Sequence, residues 1–200
     1  MIESIIEALD QISLVEFLAV ITSIAYAVLA SKNNIWCWLF GILSPALSMY
    51  ALYFYFQLYA EVYLQVYYIG MAIFGFYSWK YGSADHKTLA INLWSKQKHI
   101  IIIIGGALLS FLLGYLLKNY TDAASTYLDA TTTVFAIIAT FMTARRILEN
   151  WIYWIIIDSI SIYLYFDRGG YLFAFLFFAY TIIAVYGFLH WRKIHIKARV

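Results

Sequence analysis

Long apolar runs separated by short polar breaks fill the chain. Seven of them, at 13–31, 35–56, 59–80, 99–118, 124–144, 148–166 and 170–191, approach or exceed twenty residues. About twenty mostly apolar residues, at about 1.5 Å each along a helix, match the roughly 30 Å of hydrocarbon in a bilayer. Lipid offers the backbone no hydrogen-bond partners, so each run is predicted to be a helix. The alternating pattern of a membrane barrel is absent. The expected fold is therefore all-α and integral to the membrane, with seven transmembrane helices. The first seventeen residues, "MIESIIEALDQISLVEF", lack the basic start of a cleaved signal peptide and read as an amphipathic lead-in. The one sizeable polar connection is 81–99.

Polar residues inside these runs recur at steps of three and four, which places them on single helix faces. In 148–166 the stripe is Asn150, Trp154, Asp158, Ser161 and Tyr165. In 124–144 it is Asp129, Thr132, Thr133, Ala136, Thr140 and Thr143. In 59–80 it is Glu61, Gln65, Tyr68, Ala72, Gly75 and Trp79. Thr22, Ser23 and Tyr26 mark the first run. Ser44, Pro45 and Ser48 interrupt the second, where the only proline predicts a kink. An ionisable side chain at mid-bilayer costs at least about 2.5–3.5 kcal/mol and faces a bundle interior or a wet cavity. Two readings stand for Asp129 and Asp158: ligand contact, or a structural hydrogen bond to a neighbouring helix. Trp79, Trp151 and Trp191, near helix ends, also fit an interfacial aromatic belt.

The segments "LYAEVYLQVYYIGMAIFGFYSW" (58–79) and "GYLFAFLFFAYTIIAVYGFLHW" (170–191) match each other. Tyr68 aligns with Tyr180, Gly75 with Gly187 and Trp79 with Trp191. Each is preceded by a helix opening on paired tryptophans, Trp36/Trp38 and Trp151/Trp154, at an offset that requires an insertion or deletion. Two three-helix repeats joined by a linker helix predict a parallel 3+1+3 arrangement, with substrate bound between the halves. The chain is then one transporter domain, 1–200: repeat one at 13–80, connection and linker at 81–118, repeat two at 124–191, and a tail at 192–200. Small residues in the linker (Gly105, Gly106, Ala107, Ser110, Gly114) suit close helix approach and self-association.

Composition agrees, with 64% hydrophobic and 12% charged residues and a mean hydropathy of +0.78. The net charge of +2 hides a strong asymmetry: eleven Lys and Arg fall at one membrane face and two, Lys118 and Arg168, at the other. The positive-inside rule then puts the N-terminus outside and the C-terminus in the cytoplasm. One-sided sorting fits a membrane face and argues against nucleic acid as a partner. The single Cys37 excludes an internal disulfide. No HExxH or GxSxG motif, nucleophile–base pair or metal-ligand cluster appears, and His86, His99, His190 and His195 lie in connections or helix ends. No catalytic residue, metal or cofactor is expected, and an intramembrane enzyme finds no support. A seven-span receptor is disfavoured by the internal repeat. Amides, hydroxyls and indoles suit a planar heteroaromatic ligand with hydroxyls or an amide, and a cationic ring gains from aromatic faces.

The run 58–79 and the run "ENWIYWIIID" (149–158) with the helix after it resemble the third and last two helices of the PnuC-type bacterial vitamin transporters. The resemblance covers nearly the whole chain. It implies a SWEET-like architecture in the bacterial inner membrane, a homotrimer, and import of nicotinamide riboside by facilitated diffusion, trapped by a cytoplasmic nicotinamide riboside kinase. Thiamine or riboflavin uptake and proton coupling are the alternatives. By motif, Asn150, Trp151 and Trp154 match the family's pocket signature, Gln65 its third-helix glutamine, and Asp129 and Asp158 its acidic positions. Tyr68 and Thr132 of the polar stripes and Trp38 of the second span complete the expected substrate-binding set. Glu61, Phe76 and Cys37-Trp38 depart from the family pattern, which bears on which vitamin is carried.

Overall fold

The computed structural model describes residues 13–56, 59–82, 89–120 and 126–198, with backbone only for 56 and 59–61. The lead-in over 1–12, His86 and the Glu61 side chain lie outside this description. The described residues form seven helices: α1 (Leu14–Ser31), α2 (Cys37–Ala51), α3 (Tyr59–Tyr81), α4 (Lys96–Tyr120), α5 (Thr126–Ala144), α6 (Asn150–Asp167) and α7 (Tyr171–Lys197). Five of them, all but α3 and α6, are long and apolar enough to cross a membrane, α2 when taken on to Tyr55 through the turn that follows it. The other two carry the stripes around Gln65 and Asp158.

Local chemistry sets the boundaries. Ser13 caps α1 through a reciprocal pair, its hydroxyl accepting from the Glu16 amide at 3.2 Å while the Glu16 carboxylate accepts from the Ser13 amide at 2.9 Å. The helix α2 continues through Pro45 and ends in a π-helical turn over Leu52–Phe56. Gly169, at φ +74°, turns α6 into α7, and the Gly170 amide closes the corner on the Tyr165 carbonyl at 2.8 Å.

Packing follows a closed ring: α1 on α2, α2 on α3, α3 on α5, α5 on α6, α6 on α7, and α7 back on α1. Helix α4 stands outside the ring and packs along α5, touching α6 only at its first turn, where His99 Nδ1 lies 2.9 Å from the Tyr153 hydroxyl. Its small residues serve that contact. A Cβ on Gly106 meets the Phe135 ring at 2.9 Å, and one on Gly114 meets Tyr127 at 2.5 Å, while Gly105 faces open space. Of the small residues expected to support self-association, Gly106, Ser110 and Gly114 are thus buried inside the subunit, while Gly105 and Ala107 are not.

At the basic end four indoles form a floor. Trp38, Trp79, Trp191 and Trp151 follow one another edge to face at centroid distances of 5.3, 5.6 and 5.4 Å. Trp79 and Trp191 are fully buried. The N–H groups of these two cap carbonyls in the last turn of other helices, Trp79 to Thr143 at 3.1 Å and Trp191 to Ala30 at 3.0 Å. This corrects the belt reading: both rings seal protein and touch no interface. Gly75 and Gly187 make room, because a Cβ there meets the ring of Trp38 at 2.4 Å or of Trp151 at 2.7 Å. Close approach at glycine replaces the hydrophobic drive that lipid does not supply.

The α1–α2 and α5–α6 corners match in detail. Asn33 and Arg146 are the two non-glycine residues at positive φ among the described residues, at 55° and 51°. Trp38 and Trp151 lie the same number of positions beyond them. The tryptophan pairing therefore shifts: Trp38 corresponds to Trp151, Gly41 to Trp154, and Trp36 is 63% exposed.

Candidate functional site

Inside the ring, above the indole floor, lies a cavity of about 310 Å³. All six ring helices line it, and α4 does not. Trp151, Trp154 and Asp158 come from α6, and Gln65 and Tyr68 from α3. Trp38, Gly41, Ser44 and Pro45 come from α2, and Ser23 and Tyr26 from α1. Thr140 and Thr143 face it from α5, and Phe177 and Tyr180 from α7.

Six of the nine expected site residues thus meet at one wall or another: Trp38, Gln65, Tyr68, Trp151, Trp154 and Asp158. The other three stand outside. Asp129 is about a third exposed and pairs with Arg168 at 2.7 Å, at the end of the bundle opposite the indole floor. That hydrogen bond raises the Arg168 pKa. The Thr132 hydroxyl turns back to the Asp129 carbonyl at 2.9 Å, as helical threonines do. Asn150 is fully buried behind the wall, its side-chain nitrogen donating to the Ile147 carbonyl at 2.6 Å.

Asn150 nevertheless acts on the cavity through Thr143. The Thr143 hydroxyl lies 3.0 Å from the Asn150 side-chain oxygen and 3.4 Å from the Trp154 indole nitrogen, which donates to it. The Trp154 ring is so oriented by a chain that ends in the α5–α6 corner. On the opposite wall, the Ser23 hydroxyl and the Tyr180 hydroxyl form a short hydrogen bond that ties α1 to α7. Ser44 donates to the Ala19 carbonyl at 3.1 Å. Pro45 brings no N–H, so the Gly41 carbonyl loses its helical donor at the cavity wall. Gly41, Phe40 and Phe177 were not legible as site residues. The alignment of Tyr180 with Tyr68 was the one available signal for Tyr180.

Electrostatically the cavity is simple. Asp158 is its one acidic residue, 3% exposed, and no Lys, Arg or His lines it. Asp158 makes no ion pair among the described residues. No group of three or more His, Cys, Asp or Glu able to hold a metal occurs among the described residues. The chamber offers flat aromatic faces, one carboxyl group, one primary amide and several hydroxyls, and nothing there is arranged as nucleophile and base.

A chamber enclosed by a ring of helices, four of them long and apolar enough to cross a membrane, suits a small-solute transporter. The sequence model of the nicotinamide mononucleotide transporter family matches residues 13–193, and the chain belongs to this family. The nicotinamide riboside transporter PnuC of Escherichia coli is 25% identical over 205 residues, spanning 90% of this chain and 85% of that protein. The PnuC of Neisseria mucosa is 24% identical over 210 residues, spanning 96% and 77%. The riboflavin/roseoflavin transporter RibM of Streptomyces davaonensis is 25% identical over 168 residues, spanning 82% and 77%. A crystal structure of the vitamin B3 transporter PnuC superimposes with a TM-score of 0.72 at 24% identity, covering 98% of this chain and 88% of that one, and shares the fold. The protein is a multi-pass membrane transporter, not an enzyme.

Proposed function

We propose that the chain imports nicotinamide riboside across the bacterial inner membrane by facilitated diffusion through this cavity. The observation that carries the reading is the lining itself: paired indoles, a carboxyl group and an amide, with no cationic side chain. Nicotinamide riboside is a pyridinium cation with ribose hydroxyls and a carboxamide. Its ring stacks on Trp151 and Trp154 with cation–π attraction. Asp158 serves as counter-charge or ribose acceptor, and Gln65 pairs with the carboxamide. A phosphorylated nucleotide fits poorly, since its phosphate meets a carboxylate and no Lys or Arg. The relatives named for nicotinamide riboside favour the same vitamin.

The two-half reading is supported by the closed ring and the matched corners. A pseudo-two-fold axis relates α1–α3 to α5–α7, with α4 as the linker. The basic end is the cytoplasmic one, with the N-terminus outside. Cytoplasmic phosphorylation by a nicotinamide riboside kinase traps the substrate, and the protein works as a homotrimer. No cationic or histidine side chain in the cavity relays protons, which favours uncoupled movement. The test is calorimetric binding of nicotinamide riboside, nicotinamide mononucleotide, thiamine and riboflavin to the purified protein. Preference for nicotinamide riboside supports the reading; preference for the mononucleotide, thiamine or riboflavin rejects it.

A further inference from the structure

Residues 89–95 cross the basic end of the bundle as a strap beneath the indole floor. Ile91 is buried in the same cluster as Trp38, Trp79, Trp151 and Trp191. The Leu89 amide donates to the Trp79 carbonyl at 3.2 Å, and the Leu148 amide to the Asn92 carbonyl at 2.8 Å. His195 Nδ1 lies 2.7 Å from the Ile91 carbonyl oxygen. A solute leaving the cavity towards this end has to displace both the floor and the strap.

Arg146 touches both. Its guanidinium donates to the Leu89 carbonyl and lies 4.2 Å from the centre of the Trp79 ring. Its own carbonyl accepts from the Asn92 amide at 2.9 Å. The residue is 6% exposed, sits at positive φ, and has a buried Nε without a partner. Burial pushes its pKa down to about 10, so it remains charged at neutral pH. No carboxylate pairs with it among the described residues. A buried guanidinium held by a ring face and one carbonyl regains full hydration on leaving, which suits a contact made and broken repeatedly. Trp79 in turn caps the Thr143 carbonyl, and the Thr143 hydroxyl accepts from Trp154 in the cavity. Asn33, at the matching corner, has no such strap contact among the described residues.

We propose that Arg146 is the latch of a cytoplasmic gate, a positioning residue that holds strap 89–95 on the indole floor and couples it to Trp154. Release of the strap frees Trp79, and the α3–α5 side of the floor opens first. The inference rests on the transport reading but not on the identity of the vitamin.

Cys37, the only cysteine and fully buried beside Trp38 in the floor cluster, reports on the gate. Its labelling by N-ethylmaleimide in purified protein needs no substrate. Arg146→Gln is expected to speed labelling about tenfold or more, and Arg146→Lys, which keeps the charge, to fall in between. Equal rates in wild type and Arg146→Gln overturn the latch. A second arm is independent of Arg146. In a Cys37→Ser background, Ile91→Cys and His195→Cys are bridged by a reducible bifunctional thiol reagent. Uptake is expected to stop while the vitamin still binds, and to return on reduction. Uptake at the unbridged rate while the bridge is intact overturns the proposal.

Discussion

Helices α2 and α6 occupy matching places in the ring and hold different chemistry. Both begin just after a corner with a positive-φ residue, and both lay an indole, Trp38 or Trp151, against a glycine of the next helix. One turn on they diverge. Where α6 carries Trp154, α2 carries Gly41, whose absent side chain leaves room filled by Tyr26, 3.2 Å from a Cβ placed there. Where α6 carries Asp158, α2 carries Pro45. One scaffold therefore presents an aromatic and acidic wall on one side and a concave wall with a freed backbone carbonyl on the other. The indoles near the corners are common to both helices; Trp154 and Asp158 set α6 apart, and the proposed recognition leans most on them.

The largest effect follows from removing the indole that breaks the match. Trp154→Ala is expected to weaken vitamin binding by about 10- to 100-fold, the range for losing one aromatic stacking partner of about 1–3 kcal/mol. Gly41→Ala, measured by the same calorimetry, should change it far less. Asp158→Asn comes next, with a loss of about tenfold or more if a charge-assisted contact of about 1.5–3 kcal/mol is made. Pro45→Ala at the matching place should cost less than that. Gln65→Ala is expected to cost about two- to tenfold, as one neutral hydrogen bond of about 0.5–1.5 kcal/mol does, and to blunt the preference for a carboxamide ligand. The smallest effect is predicted for Asp129→Asn. Its ion pair with Arg168 is a third exposed and contributes at most about 1 kcal/mol, so thermal stability should fall slightly while affinity stays at wild type.

That contrast between two aspartates shows what the sequence could and could not carry. Seven helices were legible because each apolar run is long and its polar residues recur at helical spacing. Asp158 and Asp129 looked alike, two lone carboxylates on helix faces. What separates them is Arg168, which lies 39 positions from Asp129 and reaches it only because α6 ends beside the start of α5. Trp79 and Trp191 looked like interfacial anchors, because a helix end at the membrane surface and a helix end folded under a partner have the same local pattern. The paired tryptophans misled the alignment for a related reason: Trp36 and Trp38 resemble Trp151 and Trp154 in spacing, while the positive-φ turns at Asn33 and Arg146 align Trp38 with Trp151. Arg146 counted only as one more basic residue. Its role depends on a positive φ and on the strap returning from residue 89, neither of which leaves a mark in the pattern.

The cavity beside α6 is proposed to carry nicotinamide riboside without a driving ion. The most direct test is uptake of labelled nicotinamide riboside into liposomes that contain only this protein and no ion gradient. The label is expected to equilibrate across the membrane with wild type and to fail to do so with Trp154→Ala. Uptake that appears only with an imposed proton or sodium gradient, or that proceeds at the wild-type rate in Trp154→Ala, contradicts it.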